Sequence, residues 1–334
     1  MLHRRDFVKQ LGILLGGILT PFPILSNSRK DKMNNLKQYD VIIVGGSYAG
    51  LSAGMALGRA LRNVLIIDSG DPANKQTPFS HNFLTNDGKS PNEIATLAKE
   101  QVLTYKSVEF LDAVVTVVTK NAAHFEVIVH AGEKYAAKKL ILATGIKDLL
   151  PDIPGFADCW GISVLHCPYC HGYEVRNKKT GILANGDVAY ELSSLIFNWT
   201  EDLTLYTNGK AMLTNEQLGK LMEHKINIVE DKIEKIVHHE GQIKQLIFKN
   251  GDKASLEALY ARLPFAQHSL LAHNLGCELT PEGYVKIDQV QNTSIEGVYA
   301  CGDNATRMRT VSNAVAMGTA TGLMVNKELI EETF

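Results

Sequence analysis

One stretch near the start of the chain leaves few folds open. Asp40-Val41-Ile42-Ile43-Val44 is an apolar run of strand length, and Gly45-Gly46-Ser47-Tyr48-Ala49-Gly50 follows it directly. A helix-forming segment comes next, then a second apolar run, Val64-Leu65-Ile66-Ile67, ending in Asp68 and Ser69. Strand, glycine turn, helix, strand and acid in that order form the βαβ fingerprint of a dinucleotide site. The first turn of such a helix has backbone N–H groups without intrahelical partners, and together with the helix dipole they favour a pyrophosphate. Gly45, Gly46, Ser47 and Gly50 are therefore expected against the phosphates, and Asp68 with Ser69 against a ribose. Ser47 replaces the middle glycine of the pattern, yet still lets the backbone come close. Gly50, Gly54 and Gly58 recur every four residues and predict a bare helix face pressed on the sheet.

The 334-residue chain has 34 Lys+Arg against 36 Asp+Glu, a net charge of −2. That balance offers no cationic surface for nucleic acid. A hydrophobic content of 45% with so small a charge excludes a disordered chain, and the length suggests two domains. Five cysteines are too few for a disulfide-stapled scaffold of this size.

A second βαβ unit is legible further on. Thr180-Gly181-Ile182-Leu183-Ala184 reads as a strand, Asn185-Gly186-Asp187-Val188-Ala189 opens a helix, and Leu203-Thr204-Leu205-Tyr206 is the next strand. Its cofactor chemistry is missing. Ala184 stands in place of the first glycine, and Thr207-Asn208-Gly209-Lys210 lacks the arginines that would grip a 2′-phosphate. No acid ends the second strand to take the 2′-hydroxyl of NAD. The expectation is a retained fold that has lost NAD(P)H binding.

Between the two units lies His166-Cys167-Pro168-Tyr169-Cys170-His171-Gly172-Tyr173-Glu174. Two cysteines at this spacing can close a disulfide, and such motifs lower the pKa of one thiol. The flanking histidines also suggest zinc. Adjacent Cys-His pairs do not easily converge on one tetrahedral centre, however, and there is no second C-x-x-C, so no metal is expected. His166, which precedes the pair, is expected to face away. Cys159, Cys277 and Cys301 are isolated, and Cys301 on an apolar strand is expected to be packing.

Leu140-Ile141-Leu142-Ala143-Thr144-Gly145 is a strand ending in a tight turn, and Gly297-Val298-Tyr299-Ala300-Cys301-Gly302-Asp303 is a strand delivering an aspartate. A helix-like stretch runs from about Val311 to Lys327. These segments resemble the FAD-binding segments of the two-dinucleotide-fold flavoprotein disulfide reductases. The order glycine fingerprint, A-T-G, C-x-x-C, second βαβ, G-D over about residues 38–334 resembles the low-molecular-weight thioredoxin reductase family. Within it, C-P-Y-C-H-G-Y-E is similar to the dithiol oxidases that close disulfides in gliotoxin- and holomycin-type natural products, a branch that has lost nicotinamide binding.

The resemblance implies an α/β fold of two Rossmann-like domains, the second inserted in the first, with FAD as cofactor. It implies that Thr144, Gly145, Gly302 and Asp303 line the flavin, with Asp303 on the ribityl chain. Asn82, in Ser80-His81-Asn82-Phe83, would meet the isoalloxazine. Arg309-Thr310-Val311 matches an R-Q-A stretch with two residues changed, ahead of a helix whose N-terminus would favour negative charge on the flavin pyrimidine. Cys170 would be the flavin-proximal thiol and Cys167 the one that exchanges with substrate. His171 would replace the reductases' aspartate as acid/base, with an imidazole able to accept a thiol proton near neutral pH. The implied activity is oxidation of a dithiol to a disulfide with O2 as acceptor and hydrogen peroxide as product. The implied partner is a small-molecule dithiol or a thioredoxin-like protein, and the implied assembly a homodimer. An NAD(P)H-dependent disulfide reductase, a reductase fed by another electron carrier and a non-catalytic flavoprotein stay open.

The predicted domains are residues 38–153 with 257–334 for FAD, and an inserted domain over 154–256 that carries the cysteine pair. Pro151-Asp152-Ile153-Pro154-Gly155 reads as the first hinge, and Ile233–His238 with Gln242–Phe248 as a hairpin. Residues 1–30 contain Arg4-Arg5 and an apolar run from Leu11 to Leu25, resembling a Tat export signal or anchor. A translation start at Met33 would instead leave the protein cytoplasmic.

Overall fold

Strand β1 (Lys37–Val44) lies at the centre of the first sheet, and Val41, Ile42 and Ile43 are fully buried because both faces of a central parallel strand are covered. The computed structural model describes residues 36–122 and 124–334, so the twin-arginine segment lies outside the described residues. Strand β2 (Val64–Asp68) pairs in parallel with β1 from Val41↔Val64 to Val44↔Ile67, and β3 (Val108–Asp112) pairs in parallel with β2. On the other side of β1 come β6 (Lys134–Leu142), β5 (Phe125–Val129) and β4 (Val115–Lys120), the last two antiparallel. Strand β17 (Val298–Ala300) returns from far along the chain to pair in parallel with β6.

Helix α1 (Tyr48–Arg59) packs on this sheet through its glycines. A Cβ at Gly54 would lie 2.5 Å from Ile66, and one at Gly58 would lie 2.6 Å from Val108, so the bare face expected from the four-residue spacing is in place. Behind it runs α8 (Val311–Glu331), whose own Gly318 and Gly322 admit the carbonyls of Ala49 and Ala53 at 2.1 and 2.8 Å from where a Cβ would stand. Helix α2 (Pro91–Leu103) begins at a Ser90–Glu93 capping box and flanks the same sheet.

The short strand β7 (Ile146–Asp148) leads out of the first sheet, paired antiparallel with β16 (Phe265–Gln267) on the way back. Between them are α3 (Phe156–Cys159), β8 (Val164–Leu165), α4 (Pro168–His171), β9 (Thr180–Leu183), α5 (Gly186–Ile196), β10 (Leu203–Tyr206), α6 (Asn215–Glu223) and β11 (Asn227–Val229). A second parallel sheet has the order β11-β10-β9-β15-β8, with β15 at Ala258–Ala261. Strand β15 corrects the sequence reading: a boundary at residue 257 gave it to the first sheet, yet it sits between β9 and β8. Its run of four small or apolar residues fits either sheet, and pairing partners decided. The predicted hairpin is present as β12 (Ile233–His239) and β13 (Gln242–Phe248), extended by β14 (Lys253–Ser255). Its turn is Glu240-Gly241, both at positive φ, as a tight two-residue hairpin requires. Helix α7 (Leu271–Asn274) buries Leu271 in the first core. Among the described residues no helix is long and apolar enough to cross a membrane.

Candidate active site

The C-terminal ends of the parallel strands in the first sheet open into a cavity of about 630 Å³. Crevices at this edge of an open α/β sheet are where such folds take ligands. The sequence-predicted residues Gly45, Gly46, Ser47, Asp68, Ser69, Thr144, Gly145, Gly302, Asp303, Arg309, Thr310 and Val311 all line it. So do Cys167, Cys170 and His171, brought there by the segment between β8 and β9. Gly50 sits one layer below, where a Cβ would lie 1.8 Å from the carbonyl oxygen of Gly45. Gly45 itself, at φ +106°, would place a Cβ 2.2 Å from the Ala143 carbonyl. The turn is thus pressed between α1 and the end of β6 and tolerates no side chain.

Asn82 departs from expectation. Its side chain is exposed and off the cavity wall, and its backbone N–H donates to Asp87 at 2.7 Å. The same loop presents Ser80 and His81 to the cavity instead. Asn82 has φ +59°, a left-handed backbone that asparagine adopts more readily than most residues. Asp68 also does more than expected: its carboxylate accepts from the backbone N–H of Gly46 at 2.8 Å and of Gly70 at 3.3 Å, fixing the glycine turn.

Cys167 and Cys170 form a disulfide with their Cα atoms 5.3 Å apart. Pro168 begins α4, and the backbone N–H of Cys170 donates to the Cys167 sulfur at 3.2 Å, a contact that would favour a thiolate at Cys167. Gly172 closes the turn because a Cβ there would meet Trp199 at 2.8 Å. Trp199 stands edge-on to Tyr169, which is 61% exposed. Burial pushes the His171 imidazole below its usual pKa, with Glu174 opposing and His81 adding to the shift. His171 is therefore a neutral base near pH 7. Cys159, Cys277 and Cys301 are buried and free, and burial raises the Cys301 thiol to about 12.

Asp148 on the wall and Asn304 just behind it were not singled out from the sequence, and His166 was expected to face away. Asp148 grips Arg309 with two hydrogen bonds of 2.8 Å. His166, expected to face away, lines the cavity with a buried, unpartnered Nδ1. Burial and then the Arg309 charge lower its pKa to about 4, against the pull of Asp148. Asn304, next to Asp303, donates to the Leu142 carbonyl at 2.9 Å and to Thr144 at 3.4 Å, stapling the two cofactor turns together. Asp148 belongs to no contiguous glycine or cysteine motif, and only the fold brings it to Arg309.

The wall fits a flavin dinucleotide. Ser47 caps α1 with no side-chain hydrogen bond, leaving first-turn amides for a phosphate. Arg309 Nε and His166 Nδ1 are buried polar atoms with no hydrogen-bond partner. Burial lifts the Asp303 carboxyl to about 6, against the attraction of Arg309, so this acid is costly to keep ionised without a hydroxyl donor beside it.

Glycine cradle, paired sulfurs and a second parallel sheet define a flavin-dependent thiol–disulfide oxidoreductase of the thioredoxin reductase type. The chain belongs to the pyridine nucleotide-disulphide oxidoreductase family, whose pattern matches residues 39–318. It is 33% identical over 305 residues to the thioredoxin reductase tcpT of Claviceps purpurea, covering 88% of this chain and 95% of that protein. Among solved structures it resembles an oxidoreductase from Agrobacterium tumefaciens, with a TM-score of 0.83, 34% identity, and coverage of 88% of this chain and 99% of that one. It also resembles HlmI, with a TM-score of 0.83, 28% identity, and coverage of 88% and 93%.

Proposed function

We propose that the protein oxidises a dithiol to a disulfide through Cys167 and Cys170, with FAD in the cavity and O2 as the final acceptor. The observation that carries this reading lies in the second βαβ unit. The N-terminus of α5, where a nicotinamide dinucleotide would rest its phosphates, is tied to the chain's own loop. Asn185 Oδ1 accepts from Gly186 and Met212 at 2.8 Å each, and its Nδ2 donates to Lys210 at 2.9 Å. Asp187 adds a carboxylate to the first turn, which repels a phosphate. This corner supports a reading in which the electrons enter by the sulfurs.

Gly45, Gly46, Ser47 and Gly50 would hold the pyrophosphate, with Asp68 and Ser69 at the adenosine ribose. Thr144, Gly145, Gly302, Asp303, Arg309, Thr310 and Val311 would frame the remainder of the cofactor. When bound, the flavin supplies a two-electron acceptor that O2 can reoxidise. The steps of the protein's own residues are these. A substrate thiolate attacks Cys167 Sγ, the Cys167–Cys170 bond breaks, and Cys170 leaves as a thiolate. The second substrate thiol gives its proton to His171 and displaces Cys167, so the product leaves as a disulfide and both enzyme sulfurs are reduced. Overall, a dithiol and O2 become a disulfide and hydrogen peroxide. The partner is a small-molecule dithiol or a thioredoxin-like protein, the second supported by the name that tcpT carries. The Arg4-Arg5 segment supports export by the Tat route.

The test is a panel of dithiols and monothiols offered to the flavin-loaded protein with oxygen uptake followed. One hydrogen peroxide per disulfide formed supports the reading, and no uptake with any thiol, but turnover with NADPH and a disulfide, replaces it with a reductase.

A further inference from the structure

Arg309 is held in an unusual way for a residue on a cofactor wall. Its side chain is only 10% exposed and that of Asp148 8%, and the two make a planar, two-point contact at 2.8 Å on both arms. The third donor, Nε, is left without a hydrogen bond and lies 3.8 Å from Asp303 Oδ2. Three separate chain segments meet here: β7 brings Asp148, the turn after β17 brings Asp303, and the residue two before α8 is Arg309. All three residues line the cavity.

We propose that Asp148 is a positioning residue for the flavin wall: its two-point grip fixes the Arg309 guanidinium so that Nε faces Asp303. The inference rests on the flavin reading above only for what the wall holds. A fork-to-fork contact sets orientation as well as distance, which a single hydrogen bond would not. The pair is close to neutral overall, so Arg309 presents a directed donor without a full positive charge beside the cofactor. Burial raises the Asp303 carboxyl, and the fixed guanidinium opposes that rise. Losing the grip would therefore free one side chain and upset the ionisation of the other.

The test uses the full chain carrying Asp148→Asn, with Asp152→Asn, an exposed acid on the same connection, as control. In the apoprotein, the Arg309 Nε–H resonance is expected to be distinct and slow to exchange in the wild type, and lost to solvent exchange in Asp148→Asn. In the loaded protein, Asp148→Asn is expected to weaken FAD binding roughly ten-fold, the loss of about one charge-assisted hydrogen bond. It should also raise the flavin midpoint potential, because an unbalanced cation favours the more negative reduced flavin. Should the amide variant not fold, Asp148→Glu carries the same test, with a smaller shift in the same direction. An Arg309 resonance and a potential both unchanged from wild type would overturn the proposal. A wild-type chain that takes up no flavin would overturn the flavin reading, while the apoprotein resonance would still decide the grip.

Discussion

Asn185 Oδ1 accepts the backbone N–H of Met212 at 2.8 Å, which ties the loop after β10 to the N-terminus of α5. The same side chain also bonds Gly186, Thr207 and Lys210, so a single amide closes the corner that a phosphate would need. Replacing Asn185 by Ala is expected to cost about 1–2 kcal/mol of stability, as hydrogen bonds of this kind do. It should not create reduction by NADPH, because Asp187 and the missing arginines remain. Thermal unfolding and an anaerobic NADPH titration check both halves.

Cys170→Ser should retain a nucleophilic thiol at Cys167 but no internal disulfide. Turnover is expected to fall by about three orders of magnitude, and a covalent adduct with a thiol reagent or an activated disulfide substrate should appear on Cys167 alone. Mass spectrometry of peptides covering residues 166–176 reads the site.

His171→Ala is expected to slow dithiol oxidation by about 10²-fold, the usual worth of a positioned base. Burial holds this imidazole below its ordinary pKa, so the neutral, proton-accepting form dominates at pH 7. In the wild type, the rate should therefore rise with pH through an acid limb lying below about 6.5, then level off. The limb should vanish in the variant.

His166 has its folded pKa lowered to about 4 by burial. The unfolded chain then binds more protons between pH 4 and about 6.5, so this residue's contribution to stability is present above that window and lost as pH falls through it. Asp303 works in the opposite sense, since its raised value near 6 adds stability below the ordinary carboxylate pKa and loses it as pH rises. A comparison of His166→Gln with wild-type apoprotein isolates the first effect: the stability gap between them should shrink as pH drops from 6.5 to 4.

Gly50→Ala tests the cradle. Its Cβ would fall 1.8 Å from the Gly45 carbonyl oxygen, backbone against backbone, with nothing flexible to yield. Destabilisation of about 3 kcal/mol and loss of bound flavin are expected, read by calorimetry and by the absorbance ratio of cofactor to protein.

The parts of the site that lie in contiguous motifs were legible in the sequence. Gly45 to Gly50, Asp68, Cys167, Cys170 and Asp303 each announce themselves because a turn, a sulfur pair or a strand end demands that residue type at that spacing. Asp148 carries no such signal, since its partner Arg309 is more than a hundred residues away and meets it only through β7; His166 stands beside Cys167, but the direction of its ring is set by the fold and not by the motif. Asn82 was placed by resemblance alone, and in the fold its neighbours Ser80 and His81 line the cavity in its stead. Strand β15 misled for a topological reason, because four buried residues fit either sheet and only the pairing with β9 assigns them.

If electrons reach the flavin through Cys167 and Cys170, anaerobic stopped-flow mixing will show it when the FAD-loaded protein meets a dithiol and, separately, NADPH and NADH. Rapid loss of the oxidised flavin's visible absorbance is expected with the dithiol, none with either nicotinamide, and none with the dithiol in Cys170→Ser. Fast bleaching by NADPH or NADH, or bleaching by the dithiol that survives removal of Cys170, would contradict it.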